Sequence, residues 1–109
     1  MKSGFTLNRL PGFIADYEEF FTNLAGLSEQ VALRHYSRFE TAITERLLEN
    51  PYTFAPFWET GSPYRAKLFP VGKKAFWIVY TVDDKVVTLH RFWDCSRETG
   101  THDLPDRPD

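Results

Sequence analysis

The chain has 109 residues, 42% hydrophobic and 17% aromatic, one domain's length with enough apolar area for a core that needs no staples. Thirteen Lys and Arg against 15 Asp and Glu leave a net charge of −2, and the single cysteine, Cys95, excludes an internal disulfide. A surface that binds nucleic acid indiscriminately is therefore disfavoured, and a cytoplasmic protein is expected, because nothing reads as a signal peptide or as an apolar run able to span a bilayer.

Phe5 to Leu10 alternates apolar and polar residues, the period of a half-buried strand with Phe5 and Leu7 inward. Pro11-Gly12 stops it, and Pro11 suits the first turn of a helix, where a missing N–H costs nothing. From Phe13 to Leu27 the apolar positions Ile14, Tyr17, Phe21 and Leu24 follow a helical period, with Phe20 and Leu27 at the margins. Ser28 is placed to cap a second helix whose stripe is Ala32, Tyr36, Phe39, Ile43 and Leu47. That helix is expected to run to Glu49, where Asn50-Pro51 ends it. The two helices form a hairpin about Gly26-Ser28.

Tyr52 to Pro63 is irregular and carries Phe54, Phe57 and Trp58, which read as plugs for the core edge. Three strands follow. Tyr64 to Phe69 alternates, so Arg65 and Lys67 share one face. Pro70 to Lys73 is the expected turn. Ala75 to Val82 is almost continuously apolar, the mark of a central strand. Asp83-Asp84 turns the chain back into Lys85 to Trp93. In an unbroken last strand His90 and Phe92 share one face and Arg91 and Trp93 the other, and a bulge would swap part of that assignment. Residues from Thr99 on read as a polar tail. The pattern is α+β: an N-terminal strand, a helical hairpin, then a three-stranded antiparallel sheet with helices on one face and the other face partly open.

His35, His90, His102 and Cys95 lack zinc-type spacing, and there is no phosphate-binding or dinucleotide fingerprint, so neither metal nor cofactor is expected. The carboxylate pairs Glu18-Glu19 and Asp83-Asp84 are explained by solvation and turn chemistry. What remains is cationic: Arg65 and Lys67 on one strand, Arg91 late on the last, and Arg97 just beyond it. Gathered in one shallow depression on the uncovered face, these would recognise phosphate or carboxylate. The alternative is a set of solvated charges guarding the sheet against aggregation.

The ordered set of signposts resembles the RelE/ParE superfamily of bacterial toxins, and looks closest to its ParE-like branch. The resemblance runs from Gly4 to Arg97 and is carried by LLENP at the end of the second helix and by YRAKLFPVGKKAFWIVYTVDDKVVTLHRFWDCSRE. It implies one toxin domain over residues 1–98 with a flexible tail over 99–109. It also implies the toxin component of a type II toxin–antitoxin pair, an intracellular growth inhibitor kept silent by a cognate antitoxin that wraps it. RelE-like members cut messenger RNA on the ribosome by driving the 2′-hydroxyl onto the neighbouring phosphate, and Arg65, Lys67 and Arg97 match the cations that serve there. Two departures weigh against that mechanism: Trp77 stands about where those enzymes place an arginine, and the tail lacks their terminal tyrosine, with only His102 as a substitute. ParE-like members instead poison DNA gyrase. The acidic balance favours gyrase as the target, with Arg65, Lys67, Arg91, Trp93 and Arg97 as the binding set and no cofactor. The alternative is a ribosome-dependent endoribonuclease.

Overall fold

The computed structural model describes residues 4–52 and 63–95. Their order is β1 (Thr6–Arg9), α1 (Pro11–Leu27), α2 (Glu29–Thr41), a π-helical continuation (Ala42–Leu47), β2 (Arg65–Val71), β3 (Lys74–Asp83) and β4 (Val86–Asp94). The α+β class and element order match the expectation. The sheet does not: it has four strands in the order β1-β4-β3-β2, not three. β1 lies parallel to β4, with Thr6 opposite Val86 and Arg9 opposite Leu89. The cause is backbone satisfaction. A four-residue strand has no partner of its own, and β4 has a free outer edge that takes the Thr6 N–H at Lys85 O and the Leu10 N–H at Leu89 O. Phe5 and Leu7 then pack against the core, as their alternation required.

Pro11 opens α1 within its first turn. The Ser28 hydroxyl accepts the Val31 N–H at 3.3 Å, which caps α2. The buried stripe of α1 is rotated from the expected one. Phe13 and Phe20 are buried, with Tyr17 and Leu24 packed beside them, whereas Ile14 is 42% exposed and Leu27 86%. α1 carries apolar residues on two adjoining stripes, so spacing alone does not choose between them. Aromatic packing does: the Phe13 ring stacks on Phe39 at 5.8 Å and meets Phe92 edge-on at 6.2 Å. In α2 the stripe holds at Ala32 and Phe39 and continues through Ile43 and Leu47, while Tyr36 lies at the surface against Phe21. The helix does not stay α-helical to Glu49. From Ala42 it widens to π geometry, closed by Leu48 N–H to Ile43 O.

In the sheet, Pro70 is within β2, opposite Ala75, and the turn is Gly72-Lys73. The shift is possible because β2 is an edge strand, where proline's missing N–H leaves no ladder bond unmade. Gly72 takes φ +61°, which favours glycine. The second turn also shifts by one, since Asp83 pairs with Val86 and Asp84 supplies the left-handed residue at φ 55°.

A bulge breaks the β3–β4 register: Val79 faces Arg91 and Tyr80 faces Leu89, leaving His90 unopposed. Leu89 and Phe92 both enter the helix-side core, which also holds Ile78, Tyr80 and Phe69. His90 is thereby separated from Phe92 and bonds Thr81 at 2.9 Å on the far face. That face is not open at its centre. Tyr64, Ala66, Val79 and Trp93 form a second buried cluster there, with Trp77 against it.

Candidate functional site

Arg65 and Lys67 lie together, as their spacing required, but on the helix-covered face. They stand opposite Tyr80 and Ile78, both members of the helix-side core. The expectation that they gather on the uncovered face fails on this register. The segment after the helices is fixed above them by Tyr80, whose hydroxyl donates to Pro51 O at 2.6 Å. That bond holds Tyr52 over Arg65: the guanidinium donates to Tyr52 O at 3.4 Å and sits 5.4 Å from the ring centroid. Burial keeps the Tyr80 phenol protonated well beyond its ordinary range, so it remains a donor. Lys67 is half-buried. Desolvation, and then the charge of Arg46, lower its pKa. The Lys67 ammonium reaches Leu68 O at 3.5 Å. Arg46, on the π-helical segment, also belongs to this cluster, and no local pattern marks it.

Arg91 is elsewhere. It stands on β4, across β3 from Arg65 and Lys67, roughly 10 Å away by strand spacing. Its Nε donates to Asp16 Oδ2 at 2.7 Å and its Nη2 to Asp16 Oδ1 at 3.0 Å. The same carboxylate accepts the Phe92 N–H at 3.1 Å. β1 ends opposite Leu89, so β4 beyond it has no strand alongside, and Asp16 of α1 takes the place of the missing strand carbonyl. Gly12 permits that approach, because a Cβ there would meet His90 O and Arg91 Cδ at 3.3 Å. The Arg91 guanidinium also lies 5.2 Å from the Trp93 ring. Trp93 is 1% exposed and works as core. Arg97 and His102 lie outside the described residues. Asp16 left no trace in the sequence beyond a helix-face acid, because its role depends on where β1 stops.

A groove of about 390 Å³ runs between α1 and the β3–β4 end, floored by Phe20, Leu24, Phe76 and Phe92 and rimmed by Asp16, Glu19, Lys74 and Asp94. Two of its acids are ion-paired, Asp16 with Arg91 and Asp94 with Lys74, whereas Arg38, Arg46, Arg65 and Lys67 gather on the β2 side.

No protein-family model matches the chain, and no curated protein matches it either.

What the site can do chemically follows from its parts. The β2 cluster can bind oxyanions, through guanidinium forks and the Lys67 ammonium. Among the described residues no three His, Cys, Asp or Glu are grouped to hold a metal ion. The Cys95 thiol is pushed up by burial and by Asp94, which keeps it protonated and poorly nucleophilic.

Proposed function

We propose that this chain is the toxin of a type II toxin–antitoxin pair, of the RelE/ParE kind, and that it inhibits growth in the cytoplasm by binding and poisoning DNA gyrase. The reading is supported by the sequence segments that resemble that superfamily and by the order strand, helical hairpin, three-strand meander. The net charge of −2, and Trp77 standing about where RelE-like enzymes place an arginine, favour gyrase over RNA. Arg91, expected in the gyrase-binding set, is committed to Asp16 across β3 from Arg65 and Lys67, which leaves that pair as the cationic part of the target-binding surface among the described residues. Among the described residues no helix is long and apolar enough to cross a membrane.

The deciding experiment is induction of the chain without its antitoxin, with pulse-labelling of DNA and protein synthesis. Gyrase poisoning gives filamentous cells and a DNA-damage response while translation continues. Undiminished supercoiling by purified gyrase in excess protein would rule the reading out.

One observation favours ribosome-dependent mRNA cleavage instead. Lys67, with its pKa lowered, sits beside Arg65 and Arg46, an arrangement suited to proton transfer near a phosphate. On that reading translation collapses first. The double variant Arg65→Ala, Lys67→Ala abolishes toxicity while the fold persists.

A further inference from the structure

The groove between α1 and the β3–β4 end has an aromatic corner for a floor. The Phe76 and Phe92 rings stack 4.7 Å apart, within 3° of parallel, and form one wall. Phe20 forms the other, inclined at 67° to Phe76 and 64° to Phe92, with its centroid 4.9 and 5.2 Å from theirs. Phe76 and Leu24 are only half-buried, and Leu27 at the outer lip is 86% exposed, so the groove is open to a ligand. Ring faces carry the negative part of the aromatic quadrupole, and two ring walls meeting at a steep angle suit a cation better than an anion.

The charge at the mouth has the matching sign. Asp16, Glu19 and Asn23 recur at helical spacing along the α1 side. Asp16 is committed to Arg91, and Asp94 on the sheet side is met by Lys74 at 3.9 Å. Glu19 is exposed and has no hydrogen-bond or ion-pair partner among the described residues. With the two pairs cancelled, the mouth keeps one negative charge, that of Glu19. A carboxylate in the groove would meet Glu19 and Asp94, and a neutral apolar body would desolvate Glu19 without a counter-charge. About 390 Å³ lies at the lower end of small-molecule sites, the space of one ring on a short chain.

We propose that this groove is a binding site for a small organic ammonium ion, an amine or methylated amine carried on a single apolar body. Glu19 supplies the counter-charge, and Phe76 and Leu24 take the apolar body and the polarised carbons beside the nitrogen. The groove meets β2 at Val71, the opposite end of that strand from Arg65, so the inference holds whatever the target of the chain.

The test titrates the full chain with phenethylammonium, phenylethanol and phenylpropionate, three probes with one ring and similar reach, while side-chain resonances are followed. Phenethylammonium is expected to shift the Phe20, Phe76 and Leu24 signals together and to saturate. It binds about fivefold tighter than phenylethanol, the worth of one exposed charge contact with a ring face behind it, and phenylpropionate binds weakest. Glu19→Gln brings the ammonium down to the affinity of the alcohol and leaves the alcohol unchanged, a difference that mere loss of structure would not produce. Leu24→Trp fills the groove and abolishes binding of all three. If that variant misfolds, the Glu19→Gln titrations decide. Equal binding of the ammonium and the carboxylate, a Glu19→Gln effect that is nil or the same for all probes, or shifts away from the groove overturns the proposal. So does movement of the same signals when the chain alone is diluted, the mark of a second copy in the groove.

Discussion

Acidification from pH 7 to pH 5 is expected to destabilise this domain through one side chain, His90. The imidazole is 4% exposed, bonded to the Thr81 hydroxyl at 2.9 Å and met edge-on by Tyr64 at 5.2 Å. Burial lowers its pKa from 6.5 to about 4. The unfolded chain binds a proton there at a higher pH than the folded one does, so stability falls as pH drops below the unfolded value and goes on falling until the folded value is passed. At pH 7 both states are mostly neutral. At pH 5 the unfolded imidazole is almost fully charged and the folded one almost fully neutral, a difference of about 2 kcal/mol. For a domain of this size that corresponds to a midpoint lowered by on the order of 10 °C. Urea titrations at stepped pH measure it, with His90→Gln as the control that keeps a polar partner for Thr81 and removes the titration. The reasoning is refuted if wild type and His90→Gln lose the same stability between pH 7 and pH 5, or if the His90 ring titrates near 6.5 in the folded protein.

Three further outcomes follow from contacts described above. Asp16→Ala strands the Arg91 guanidinium and the Phe92 N–H together and is expected to cost about 3 kcal/mol in urea unfolding. Ser28→Ala removes the cap of α2 and costs about 1 kcal/mol, with an amide exchange increase confined to the first turn of that helix. Gly72→Ala puts a side chain at φ +61° and costs about 1 kcal/mol by thermal melting, although no atom crowds the added carbon.

Much of this fold is written in local pattern. Ser28 as cap, Pro11 as opener, the stripe from Ala32 to Leu47 and the buried central strand all follow from periodicity and terminal chemistry, which need no knowledge of distant residues. The departures come from partners far along the chain. Which of two stripes on α1 turns inward was settled by Phe39 and Phe92, not by α1. The fourth strand was visible as a strand, but its place depended on β4 having an unpaired edge. The bulge at His90 inverted half of β4, and no residue type marks it in advance. For the site, the pairing of Arg65 with Lys67 was legible from their spacing of two. Their face was not, because alternation gives parity and leaves open which parity the helices cover. Asp16 and Arg46 enter only once the helices are docked on the sheet.

The parallel pairing of β1 with β4 joins Thr6 to Lys85 across 79 positions. During synthesis the first strand therefore waits, unpaired, until almost everything described here has left the ribosome. The helical hairpin can form early, but Phe13, Phe20 and Phe39 have no sheet to settle on before β3 and β4 arrive. A nascent chain interrupted before Val86 thus lacks both the neighbour for its own beginning and the floor of its interior, and it is expected to be cleared by proteases, not to persist as a shortened working form.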